Sequence, residues 1–162
     1  MAESRIFDRL RADHDRHREL LDRIDETQGD SDDRRYLFEA FRVEVTAHAA
    51  SEEMSLYATM LGKPDLRDEA QHSVAEHKEI EDLLTELYEM DFSSTGWLTR
   101  FRTMKDRYLH HIDEEEEEMF PEAEEGLSAA KKKEIAAIFA REKPKEKAKA
   151  AEEEPSSEEE RE

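Results

Sequence analysis

The 162-residue chain has no cysteine. Disulfides, thiolate metal sites and cysteine nucleophiles are therefore excluded, and any transition metal must be held by His, Asp or Glu. Glycine and proline number only four each, which suits a few breaks between helices better than the many tight turns of a sheet. No apolar run approaches the roughly 20 residues that span a bilayer. The opening Met1-Ala2-Glu3-Ser4-Arg5-Ile6-Phe7-Asp8 lacks the apolar stretch of a signal peptide, so a cytoplasmic protein is expected. Positive charge is also scarce: 25 Lys and Arg stand against 45 Asp and Glu, a formal net charge of -20. Phosphate backbones and anionic membrane surfaces would be repelled, so neither nucleic acid nor membrane is an expected partner.

What is abundant is charge arranged in helical periods. Charged residues make up 43% of the chain, and apolar residues recur every three or four positions in four long segments. The first runs from about Ser4 to Asp25, with Phe7, Leu10, Leu21 and Ile24 on one face. Gln28-Gly29-Asp30-Ser31 breaks it, and Ser31 or Asp32 can cap the second, which runs to about Leu61 and carries Leu37, Phe41, Val45 and Leu56. The third covers roughly Asp65 to Tyr88, with Ala70, Val74, Leu84 and Leu87. The fourth covers about Gly96 to Met119, with Phe101, Met104, Tyr108 and Ile112. Short connections make consecutive helices antiparallel neighbours, so the expected fold is an all-α, up-down-up-down four-helix bundle. A short fifth helix is expected from Ser128 to about Arg141. After Pro144 the chain turns to Lys, Glu, Ala and Ser without aromatics, which predicts a bundle domain over 1–142 and a disordered tail over 143–162.

The informative residues are polar ones inside the apolar stripes. The second helix steps inward through Phe41, Val45, His48, Glu52 and Leu56, and the fourth through Phe101, Met104, Tyr108, His111, Glu115 and Met119. The third places His77 after Ala70 and Val74; the first places His14 between Leu10 and Leu21. Burying an unpaired imidazole or carboxylate costs several kcal/mol. One histidine on an apolar face is more often a hydrogen-bonded core residue than a ligand. Four histidines and two glutamates, with the same His-x-x-x-Glu spacing on two helices, need a common explanation, and a metal cluster in the bundle core supplies it. Imidazole nitrogen and carboxylate oxygen suit iron or manganese, and a carboxylate can bridge two cations.

Other polar residues rank lower. His17, one turn from His14, can be an extra ligand or a hydrogen-bonding partner but is expected to be partly exposed. His72 points away from His77 and suits a surface or gating role. Glu81 completes a third His-x-x-x-Glu with His77, and Tyr108 suits core packing or a hydrogen bond near the site. The acidic run Asp113 to Glu118 is mostly a solvated face, with Glu115 and Glu118 turned inward.

Together these pieces resemble the bacterial hemerythrin HHE cation-binding domain proteins. The matching motifs are Ala12-Asp13-His14, His48-Ala-Ala-Ser-Glu52-Glu53 before Leu56-Tyr57, Glu76-His77-Lys78-Glu79-Ile80, and His111-Ile-Asp-Glu-Glu115 running into Met119-Phe120-Pro121, within about residues 4–140. The resemblance implies two iron ions, oxo- or hydroxo-bridged, with manganese as an alternative. It makes His14, His48, His77 and His111 terminal ligands and Glu52 and Glu115 bridges. Two departures stand out. Oxygen-carrying hemerythrins have a second histidine one turn before the third-helix ligand, where this chain has Ser73. They also carry an aspartate five residues after the fourth-helix histidine, where this chain offers Glu115 four residues on. One iron therefore lacks a histidine, and water, an exogenous ligand or His17 can take that position. Ferritin-like proteins, the rival with the same architecture, use Glu-x-x-His, the opposite order.

Three functions are expected as alternatives. The centre binds oxygen, nitric oxide or peroxide for sensing, scavenging or storage; or it decomposes peroxide as an enzyme; or the metal only fastens a bundle that serves as an interaction module, with no particular protein partner indicated.

Overall fold

The computed structural model describes residues 5–153. Those residues form five helices and, among them, no strand. Helix α1 spans Ile6–Asp25. Helix α2 comprises Asp32–Glu52, a π-helical turn Glu53–Tyr57 and a last α-turn Ala58–Leu61. Helix α3 spans Pro64–Glu89. Helix α4 comprises Thr95–Glu114, a second π-helical turn Glu115–Met119 and Phe120–Gly126. Helix α5 spans Ala129–Glu152. The caps follow local chemistry. Ser31 Oγ accepts from Arg34 N at 3.0 Å and Ser128 Oγ from Lys131 N at 3.1 Å, each satisfying a free amide of a first turn. Pro64 opens α3 where no amide is needed. Gly29 takes the left-handed φ of 60° in the α1–α2 turn, a conformation that costs a residue with a Cβ.

Side-chain pairs give the topology. Phe7, His14, Arg18 and Asp25 on α1 meet Phe120, Glu116, Asp113 and Arg102 on α4, in falling order. Glu76, Glu79 and Glu86 on α3 meet His111, Arg107 and Arg100 on α4. Neighbours are antiparallel, as short connections demand. The apolar core divides into two clusters. One holds Ile24, Phe38, Leu87, Trp97 and Phe101 toward the α1–α2 and α3–α4 turns. The other holds Phe7, Leu10, Met60, Phe120 and Phe139 at the opposite end. Burial of each such side chain contributes about 1.5–3 kcal/mol. Between the clusters lies a layer of buried polar side chains.

Helix α5 corrects the sequence expectation at its end. It does not stop near Arg141 but continues through Glu152, so residues 143–152 are helical rather than disordered; residues 154–162 lie outside the described residues. Composition hid the cause, which is docking onto α1 and α2. Lys143 Nζ lies 3.0 Å from Asp13 and 3.6 Å from Glu44. Lys147 reaches Glu44, and Arg42 donates to the Ala150 carbonyl at 3.1 Å. Pro144 sits on the exposed face, as does Ala140, so the carbonyl that the proline leaves without a helical donor is on the side that water reaches.

Candidate metal centre

The i, i+4 spacing of His48 with Glu52 and of His111 with Glu115 sets each pair one turn apart on an inward face. Antiparallel packing then brings His14 of α1 and His77 of α3 to the same level. All six side chains are buried, with His77 the most accessible at 8%. They converge in two groups: His14, His48, Glu52 and Glu115; and Glu52, His77, His111 and Glu115. Within each, one candidate ligand atom per residue lies within 4.8 Å of the others. Both glutamates belong to both groups.

Each imidazole is oriented the same way. The Nε2 atoms face the shared glutamates: His14 at 3.1 Å and His111 at 3.9 Å from Glu115, His77 at 3.3 Å and His48 at 3.6 Å from Glu52. The Nδ1 atoms point outward to four further carboxylates: His14 to Glu116 at 2.6 Å, His48 to Asp13 at 2.9 Å, His77 to Glu53 at 2.7 Å and His111 to Glu76 at 2.7 Å. These bonds form a closed ring. Asp13 on α1 holds the histidine of α2, Glu53 on α2 that of α3, Glu76 on α3 that of α4, and Glu116 on α4 that of α1. A carboxylate on Nδ1 fixes the ring and leaves the Nε2 lone pair free for a cation. The sequence motifs contain Asp13, Glu53 and Glu76, and the acidic run contains Glu116, but spacing gives none of the four a role. The signal was present, since each adjoins one of the six in sequence (Asp13-His14, Glu52-Glu53, Glu76-His77, Glu115-Glu116), but which histidine each serves depends on helix packing.

Both π-helical turns begin at the bridging level, at Glu53 and at Glu115. Each wider turn adds a residue and shifts the helical phase of the residues beyond it. Glu118, expected inward, is therefore exposed, while Glu116 is half-buried against His14. On α2 the same shift buries both Leu56 and Tyr57. Tyr57 donates its hydroxyl proton to Glu115 Oε2 and lies near Ser73 and His77.

In the protein alone, burial and charge oppose each other at these groups. Burial and the neighbouring Glu115 charge push Glu52 well above the usual carboxylate range. Burial also acts to raise Glu115, but His14 and His111 overcome it and hold Glu115 ionised. Burial would lower His14, yet the Glu115 carboxylate 3.1 Å from its Nε2 and the Glu116 carboxylate on its Nδ1 raise it to about 9. His48 is pushed down to about 4 by burial, which the Asp13 contact only partly offsets. His14 Nε2, His48 Nε2, both Glu52 oxygens and Glu115 Oε1 are buried without an aligned hydrogen-bond partner. Such groups cost about 1–3 kcal/mol each when nothing satisfies them. Cations answer that deficit. Two ligand atoms each about 2.1 Å from one cation at a right angle stand about 3 Å apart, near the Nε2-to-oxygen separations found here. The donor set of imidazole nitrogen and carboxylate oxygen fits an N/O-preferring metal.

The remaining candidates divide. His17 is fully buried rather than partly exposed: its Nδ1 meets Tyr108 Oη at 2.7 Å, its ring packs edge-on to His48, and its Nε2 has no partner. It belongs to neither metal-sized group. Tyr108 combines core packing with that hydrogen bond. Glu81 is likewise outside both groups and lines a cleft between α2 and α3. His72 is exposed, 3.4 Å from Glu76 and 3.5 Å from Glu114.

No described helix is long and apolar enough to cross a membrane. No curated protein matches the chain. A crystal structure of a hemerythrin HHE cation binding domain-containing protein from Mycobacterium kansasii superposes with a TM-score of 0.77 at 23% identity, covering 90% of this chain and 88% of that one; at that identity it speaks for the fold. The family model of the hemerythrin HHE cation binding domain matches residues 5–123. That span contains all six clustered side chains and the four carboxylates around them, and the chain belongs to the hemerythrin HHE cation-binding domain family.

Proposed function

We propose that this protein is a cytoplasmic di-iron protein that binds a small molecule, oxygen, nitric oxide or peroxide, for sensing, scavenging or storage. His14, His48, His77 and His111 are its terminal ligands, and Glu52 and Glu115 bridge the two ions. The observation that carries the reading is the pair of His₂Glu₂ groups sharing both glutamates. When bound, two irons would supply open coordination positions and one-electron redox chemistry. The chain's own part is to orient the ligands, exclude bulk water and admit the guest. A cleft of about 300 Å³ between α2 and α3 reaches His48 and His77 and is walled by Val45, Ala49, Val74 and Leu84, a mainly apolar passage suited to small uncharged molecules. Ser73, where oxygen carriers have a further histidine, is buried beside Tyr57 and leaves that quarter of the centre without an imidazole.

Optical spectra of iron-loaded protein before and after each ligand test the proposal. A shifted charge-transfer band with at least one of them is expected. An Ala49→Trp variant should slow that change while retaining its iron. Spectra indifferent to all three ligands, with unfolding on metal removal, would leave the metal as a fastener only. The surrounding carboxylates supply a further check. Asp13→Asn, Glu53→Gln and Glu116→Gln should each weaken iron binding by about 10–100-fold while helical content is kept; unchanged affinity in a competitive chelator titration would contradict the orienting role.

Tyr57 favours peroxide decomposition as a second reading. Its buried hydroxyl is a proton donor at Glu115 Oε2, beside Ser73. Two peroxides would yield two waters and oxygen, so no outside reductant is needed. Oxygen evolution that falls in Tyr57→Phe at unchanged iron content is the result this reading expects.

A further inference from the structure

A second polar cleft, of about 480 Å³, lies between α3 and α4, on a different side of the bundle from the apolar passage. Its floor includes His111 and Glu115 of the buried cluster, and its outer part includes His72, Glu76 and Glu114. These last three bring one candidate ligand atom each within 4.8 Å of one another. His72 Nε2 stands 3.4 Å from Glu76 Oε2 and 3.5 Å from Glu114 Oε1. Glu76 joins the two levels, since its other oxygen, Oε1, meets His111 Nδ1 at 2.7 Å. At the bottom, Glu115 is 1% exposed, and its Oε1, 3.1 Å from His14 Nε2, has no aligned hydrogen-bond partner.

We propose that His72, Glu76 and Glu114 form an outer site for a divalent cation, and that this cleft is the route by which iron(II) reaches the buried centre. The proposal rests on the reading of that centre as a metal site. The walls suit it. Asp68 and Glu69 of α3 and Glu117, Glu118 and Glu122 of α4 line the same cleft, so packing of the two helices gathers their carboxylates on one face. Glu69 shows the crowding: partial burial, a carboxyl contact with Glu122 and the charges of Glu122, Glu118 and Glu114 raise its carboxyl to about 7. A cleft lined by one sign of charge focuses the field and concentrates counter-ions at its mouth. An exposed histidine with two half-exposed glutamates holds a cation loosely enough to release it inward. The α2–α3 cleft carries two carboxylates, Glu53 and Glu81, beside the cation Lys78, against eight carboxylates in the α3–α4 cleft, so the stronger pull on a cation is between α3 and α4.

Timed iron uptake tests this. The metal-free full chain is mixed anaerobically with a small excess of iron(II), desalted at intervals and assayed for iron. In His72→Ala/Glu114→Gln, uptake should slow by about tenfold or more, while final iron content and the spectrum of the loaded protein match wild type. Glu19→Gln, which removes the same charge from an exposed stretch of α1, should load at the wild-type rate. Wild-type uptake by the double variant, or equal slowing in the Glu19→Gln control, overturns the route alone. If wild type takes up no iron at any interval, the buried centre itself is not a metal site and the route falls with it.

Discussion

Glu52→Gln is expected to abolish tight binding at both metal positions at once and to make the metal-free protein more stable than wild type. The first effect comes from geometry, because Glu52 belongs to both four-residue groups, so one substitution strips an anionic ligand from each. The second comes from the cost of the unfilled site. Glu52 is wholly buried, neither of its oxygens has an aligned hydrogen-bond partner, and Glu115 lies beside it. Burial and the adjacent Glu115 push Glu52 well above the usual carboxylate range, so near neutral pH the fold bears the cost of holding that carboxyl away from its ionised state, a cost that a neutral amide of similar volume does not carry. The order should reverse with metal, since wild type gains the binding free energy and the variant does not. Urea midpoints with and without iron, alongside iron per chain by elemental analysis, decide it. A metal-free variant less stable than wild type would show that Glu52 serves the fold before it serves a cation.

The metal-free protein should be most stable near pH 6.5 and weaken on both sides. His14 is raised from 6.5 to about 9. Its contribution is complete below 6.5 and is lost as pH climbs to about 9. His48 is lowered from 6.5 to about 4. The neutral ring contributes fully above 6.5, and that contribution is lost as pH falls toward 4. Each shift corresponds to about 3 kcal/mol, or about 6–12 °C in melting temperature for a chain of this size. Glu52, raised well above 4.5, loses its contribution from that pH upward, which offsets part of the His48 gain and adds to the alkaline loss. Iron should flatten the curve between 6.5 and 9, because ligation holds the imidazoles neutral and the carboxylates ionised whatever the bulk pH. Calorimetry at pH 5, 6.5 and 9 on metal-free and loaded protein reads this directly; a metal-free melting temperature that rises steadily from 5 to 9 would contradict it.

Much of this was legible in the sequence because it depends on spacing within single helices. Four amphipathic periods, their short connections and the inward His-x-x-x-Glu pairs are local patterns, and the structure places all six expected side chains in one buried layer. Other features depend on what lies across from a residue. His17 read as half-exposed because its own helix said nothing of Tyr108 and His48, which enclose it. The α5 continuation past Arg141 looked polar enough to be disordered because its anchors, Asp13, Arg42 and Glu44, sit on other helices.

By itself, the sequence determined the helical class, the breaks between helices and which histidines and glutamates turn toward a core, since periodicity and capping act over three to seven residues. Only tertiary structure decided the partners. The ring in which each helix's carboxylate orients its neighbour's histidine, the phase shifts at the two π-helical turns, and the separation of an apolar cleft from an acidic one all arise between helices. Side-chain direction is a property of one helix, whereas coordination, hydrogen bonding and access are properties of the space that several helices enclose.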